Sequence, residues 1–158
     1  MMLPTRFTPG LVLVAIAGLL NSCGERPEQH YATLSDVGDA MALGWMPRWI
    51  TTDASDIREL HDIDTNATWG QFTFGEVGAR ELAVSCKETD EAGFRFPPER
   101  AAAWWPTQLT GRGSPQAGYR VMTCQERSLD KPGRWKTSGA YVAVNDGTRT
   151  AYFWRLPG

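Results

Sequence analysis

Two runs rich in β-branched and aromatic residues, 140–144 and 150–156, stand on either side of Asn145-Asp146-Gly147. Asp-Gly between two such runs is a strong short-range hairpin signal, because a type I′ turn needs two central residues with positive φ. Side chains alternate across a strand, so Val142, Val144 and Phe153 oppose Tyr141, Tyr152 and Trp154. Both faces of this hairpin are apolar. A sheet built on it must be covered on both sides.

The rest of the chain supplies material for such a sheet. Residues 119–126 alternate like a strand, and residues 67–74 do so with Phe72 and Phe74 facing one way and Trp69, Gln71 and Thr73 the other. Residues 31–43 carry Leu34, Val37, Met41 and Ala42 at three- and four-residue spacing, with Ser35 as an N-cap and Gly44 as a stop, and read as a short helix. The segment Gly44-Trp45-Met46-Pro47-Arg48-Trp49-Ile50 is extended, apolar and broken by proline. Residues 53–63 are ambiguous, since Ile57, Leu60 and Ile63 lie three apart, and residues 79–86 fit a helix or a strand. Residues 88–98 read as a loop, and 98–105 as a helical turn with proline at its first position. The expected fold class is α+β: a compact single domain around an antiparallel β-sheet, with a C-terminal β-hairpin and one or two short helices.

The N-terminal end has another purpose. Residues 1–10 hold one cation, Arg6, and no acid; residues 11–20 are an unbroken apolar run; Asn21, Ser22 and Cys23 follow. This is the charged, apolar, small-residue order of a secretory signal. Ten apolar residues fall well short of the roughly 20 that span a bilayer as a helix. Leu20-Asn21-Ser22-Cys23 resembles the lipobox of bacterial lipoproteins, although Asn21 departs from the usual small or apolar residue. The resemblance implies cleavage before Cys23 and acylation of that cysteine. One chain of myristoyl size anchors only marginally and a second makes anchoring stable, so the three implied here would be permanent. Gly24, where an inner-membrane retention signal would have Asp, favours the outer membrane if the host has one. The implied address is the cell envelope, facing the periplasm. Residues 1–22 are then the signal peptide, the polar residues 23–30 a lipidated tether, and residues 31–158 one globular domain.

Without residues 1–22 the chain has 136 residues, enough for one domain with a real core. It keeps 15 basic and 18 acidic residues, a net charge of −3. Such a balance gives neither an electrostatic footprint for nucleic acid nor a basic stripe for anionic lipid. Besides Cys23 there are two cysteines, Cys86 and Cys124. An even pair in an oxidising compartment reads as one disulfide; two buried free thiols are the alternative.

The order Gly44-Trp45-Met46-Pro47, Ala54-Ser55-Asp56-Ile57, His61-Asp62-Ile63-Asp64-Thr65-Asn66 and Trp69-Gly70-Gln71-Phe72 resembles a group of small bacterial lipoproteins and envelope proteins, as does the Tyr152-Phe153-Trp154-Arg155 ending. The resemblance implies an exported address and a single domain, and no activity.

His61, Asp62 and Asp64 form the one tight cluster of acid–base or metal-ligating residues. A histidine with carboxylates could hold a divalent ion or serve a hydrolase with His61 as base. The spacing matches no recognised metal motif, and the other histidine, His30, falls in the tether. The competing reading is a turn, with the Asp side chains of this stretch holding backbone N–H groups and His61 partly solvated. Of seven tryptophans, Trp69 and Trp154 read as core. Trp45, Trp49, Trp104 and Trp105 lie beside prolines and could line a groove that stacks on sugar rings. No nucleophile elbow, phosphate loop or zinc-protease motif is present, and no cofactor is called for. The expectation is a tethered, non-catalytic domain that binds another envelope component or serves as a structural accessory. The alternatives are an envelope-polymer hydrolase built on His61, Asp62 and Asp64, or a glycan-binding module using exposed tryptophans.

Overall fold

The computed structural model describes residues 28–89, 102–110, 118–131 and 134–155. The signal peptide, Cys23, the first part of the tether and most of the 88–98 loop lie outside these residues. No helix among the described residues is long and apolar enough to cross a membrane.

Seven strands form one antiparallel sheet: β1 (Glu28–Thr33), β2 (Ser55–Asp62), β3 (Ala67–Thr73), β4 (Cys86–Glu88), β5 (Arg120–Lys131), β6 (Arg134–Asn145) and β7 (Thr150–Arg155). Their spatial order is β1-β2-β3-β7-β6-β5-β4. Two short helices, α1 (Gly38–Ala42) and α2 (Glu76–Ser85), complete a mostly β member of the α+β class.

The two-faced hairpin is buried on both sides, as its composition demands. Val142, Val144 and Phe153 pack with Ile57 and Phe72 against Val37 and Ala40 around α1, Met46 and Ile50 of the following segment, and Leu82 of α2. On the opposite face Trp154, Ala143, Trp69 and Leu60 are closed over by Trp105 and Leu109. The Trp105 ring meets Trp154 and Tyr152 edge-on, at 6.2 and 5.8 Å between centroids. Its indole N–H donates to the Leu109 carbonyl at 3.1 Å, so the polar tip of the ring is satisfied inside the core. Cys86 and Cys124 sit directly opposite one another on β4 and β5 and are joined by a disulfide inside the first core.

Several local expectations are corrected. Strand β1 begins at Glu28, inside the stretch read as tether, because Glu28–Thr33 finds a partner in β2. The helix read over 31–43 starts later, as a 3₁₀ turn (Leu34–Val37) that leads into α1. Its cap is Thr33 rather than Ser35: the Asp36 carboxylate accepts from the Thr33 backbone N–H and hydroxyl, both at 2.9 Å. Gly44 ends it with φ +78°. The ambiguous 53–63 stretch is strand β2, and 79–86 lies in helix α2 as far as Ser85. The hairpin turn is not type I′. Asn145 pairs with Thr150 across a four-residue loop, 146–149, and the positive φ falls on Arg149. The Asn145 side chain accepts from the Thr148 N–H at 3.1 Å, and this local bond selects the longer loop.

Strand β3 has one position where only glycine fits. A Cβ on Gly70 would stand 2.2 Å from Phe153 Cζ and 2.7 Å from the Arg58 carbonyl. The Phe153 ring therefore lies on the bare backbone of β3 at the register of Glu59.

Candidate functional site

On β2, Ile57, Glu59 and His61 share one face and Arg58, Leu60 and Asp62 the other. Ile57 belongs to the first core, so its two polar neighbours enter that side of the domain. Glu59 is 0% and His61 2% exposed. Glu59 Oε1 and His61 Nδ1 are 2.8 Å apart and hydrogen-bonded. Whichever atom donates, Glu59 Oε2 and His61 Nε2 are buried without a hydrogen-bond partner. Each such group costs about 1–3 kcal/mol.

Burial governs the protonation of the pair. It pushes the Glu59 carboxyl up to about 8, against the opposing pull of the Arg155 guanidinium. It pushes the His61 imidazole below its ordinary value. Taking either charge out of water is costly, so the pair rests as a neutral acid beside a neutral ring. Tyr31, on β1, faces the same carboxyl. Its phenol is raised by burial and further by the charges of Glu59 and Asp39.

The pair is roofed by the segment after α1. Gly44 turns the chain, and the Trp45 indole lies flat on the imidazole of His61, centroids 4.0 Å apart and planes 16° from parallel. Trp45 N–H donates to the Ala40 carbonyl at 2.9 Å, which ties the roof to α1. From β7, Arg155 Nη2 donates to the carbonyls of Gly44 at 2.8 Å and Trp45 at 3.3 Å. One arginine thus holds the roof and acts on the carboxyl beneath it.

The expected cluster is not assembled. His61 and Asp62 are consecutive strand residues on opposite faces. Asp62 Oδ1 accepts from the backbone N–H groups of Asp64 and Thr65, both at 3.1 Å, which closes the β2–β3 turn. Asp64 is exposed in that turn, so of the two aspartates expected to hold backbone donors it is Asp62 that does so. His61 is buried where partial solvation was expected. Among the described residues no three His, Cys, Asp or Glu side chains converge on a point that could hold a metal. Glu59 was missed because a lone Glu in an ambiguous stretch reads as surface. The available signal was its spacing, since Glu59 and His61 at i and i+2 share a face if the stretch is a strand.

The proline-adjacent tryptophans do not form a row. Trp49 and Trp105 are buried, in different cores on opposite faces of the sheet. Trp104 is half-buried, and its indole N–H donates to Glu28 Oε1 at 2.8 Å. Trp69 and Trp154 are core residues. Beside Trp49, an open groove of about 410 Å³ runs between residues 48–52 and α2. It is bordered by Arg48, Arg80 and Val84, and Glu81 within it accepts from the Thr52 backbone N–H and hydroxyl at 2.7 and 2.8 Å.

Strands β1, β2 and β3 with α1 form a continuous three-strand meander carrying Trp45, Glu59 and His61. Residues 25–73 match the model of the YbbD head domain, a bacterial family. The matched segment stops at Thr73, the last residue of β3, so it covers the pair and its roof but not Arg155. Neither the curated proteins nor the solved structures contain a match to the chain.

Proposed function

We propose that this chain is a lipid-anchored bacterial envelope lipoprotein whose folded part is a non-catalytic binding or structural accessory domain. The observation that carries the reading is the burial of the His61 region. The histidine that would serve as base is sealed under Trp45 and separated from Asp62 and Asp64, and the tryptophans that would stack on a sugar ring are dispersed between two cores. The lipobox-like Leu20-Asn21-Ser22-Cys23 supports the anchor, and the disulfide between Cys86 and Cys124 suits an oxidising compartment. Only four residues separate Cys23 from the start of β1. Fully extended they reach less than about 20 Å, so an anchored domain would sit against the bilayer surface.

Two measurements test this. Cells fed an alkyne fatty acid should label the wild-type protein and leave Cys23→Ser unlabelled; equal labelling would refute the anchor. Purified protein should leave peptidoglycan and surface glycan uncleaved. Turnover abolished by His61→Gln in a still-folded protein would establish the hydrolase instead.

A further inference from the structure

Glu59, His61, Trp45 and Arg155 form a closed circuit of four in which Glu59 and the Trp45 segment place competing demands on Arg155. Arg155 is the cation that acts on the Glu59 carboxyl, and the same guanidinium holds the carbonyls of Gly44 and Trp45. Trp45 in turn is the lid on His61, which is bonded to Glu59.

We infer that the 44–49 segment is a pH-operated latch, in which loss of the Glu59 proton draws Arg155 off the Gly44 and Trp45 carbonyls and releases Trp45 from His61. In the closed state Glu59 is neutral, so Arg155 gains most by bonding the two carbonyls. Once Glu59 ionises, the Arg155 guanidinium, whose charge acts on that carboxyl, gains more by swinging towards it into a charge-assisted hydrogen bond than by keeping bonds to neutral carbonyls. The roof then loses its tie to β7, and water reaches the carboxylate. Burial places the proton loss at mildly alkaline pH.

The other groups around Glu59 oppose or do not supply the compensation. Tyr31 from β1 and Asp39 from α1 add no positive charge. Gly70, opposite on β3, has no side chain. His61 is itself held neutral by burial. The unpartnered Glu59 Oε2 and His61 Nε2 show that the closed arrangement is imperfectly satisfied, so opening relieves two groups at once. An open latch presents Trp45 next to Leu43, which is already 60% exposed, as an apolar pair for a partner. The inference does not depend on the anchor or on the accessory role proposed above.

Hydrogen exchange of the purified full chain in detergent micelles, followed by mass spectrometry, reads the latch directly. Trp45 and Met46 amides are bonded to the Ala40 carbonyl at 2.9 and 3.2 Å and report closure. After correction for the intrinsic rate, their protection should fall by up to about tenfold per pH unit as pH rises towards about 8 and level off above it, as release of one linked proton requires, while α2 amides keep theirs. Glu59→Gln should hold the segment closed throughout. Arg155→Met should leave it open at every pH. Unchanged protection in the wild type, a fall shared equally by α2, or the same fall in Glu59→Gln would each overturn the latch. Should Glu59→Gln fail to fold, the wild-type contrast between the segment and α2 still decides.

Discussion

Asp53 caps a helix that starts more than twenty residues after it: its Oδ2 accepts from the backbone N–H groups of Gly75 and Gly78, both at 3.0 Å. These are orphan donors at the start of α2. A Cβ on Gly78 would lie 2.4 Å from Asp53 Oδ1, so that glycine is part of the cap. Burial raises the Asp53 carboxyl, but the hydrogen bonds from the Gly78 and Gly75 N–H groups outweigh it and hold the pKa below the ordinary 3.8. Asp53→Ala should cost about 1–2 kcal/mol, and Asp53→Asn less, because it keeps an acceptor. The carboxylate's contribution is present above pH 3.8 and is lost as pH falls through the lowered value. Chemical denaturation of both variants at neutral pH checks the order; an Ala variant as stable as wild type would show that the cap carries no weight.

The Glu59–His61 pair should shape the stability profile. An unfolded chain releases the Glu59 proton near 4.5 and the folded chain near 8, so between these values rising pH destabilises the fold. His61 acts in the opposite sense. Its folded pKa is below 6.5, so between that lowered value and 6.5 the unfolded chain binds a proton that the folded chain does not, and rising pH stabilises the fold. The two effects offset one another below 6.5, where both operate. Between 6.5 and 8 only Glu59 acts, and stability should decline by about 2 kcal/mol before levelling off. Urea unfolding at successive pH values should show that decline in wild type and a flat line in Glu59→Gln. An equal decline in both would assign it elsewhere.

The β2–β3 turn distinguishes two neighbouring aspartates. Asp62 holds the Asp64 and Thr65 amides, so Asp62→Ala should lose about 0.5–2 kcal/mol, as other side-chain–backbone caps do. Asp64→Ala should lie within about 0.5 kcal/mol of wild type, as surface changes usually do. Thermal melts of the two variants side by side give the answer, and the reverse ranking would return the turn to Asp64.

What could be read from the chain followed from how local the signal was. The two-faced β6–β7 hairpin and the Phe72/Trp69 alternation of β3 were legible because composition and spacing act over a few residues, and the Cys86–Cys124 pair because two cysteines remain in a chain expected to be exported. Strand β1 was hidden, because the polar stretch Glu28–Thr33 is ordered by its pairing with β2 rather than by its own pattern. Strand β2 imitated a helix for two reasons. A bulge near Asp56, with φ 45°, shifts its register, and Glu59 and His61 occupy inward positions where apolar residues would have shown a period of two. The same substitution concealed the pair itself. Arg155, more than a hundred residues from Trp45, could be joined to it only by the fold.

The strand order has a consequence for how the chain reaches this state. β1, β2 and β3 run as one meander and β4, β5 and β6 as another, and β7 is inserted between β3 and β6 as the join. Until β7 pairs, the two meanders share no ladder, and the cores on both faces lack Phe153 and Trp154 at their centres. The closing contacts are long-range, the kind that slows folding. Completion of both cores therefore waits for β7, the last of the described strands, and until it pairs each meander leaves one apolar edge open to whatever can bind it.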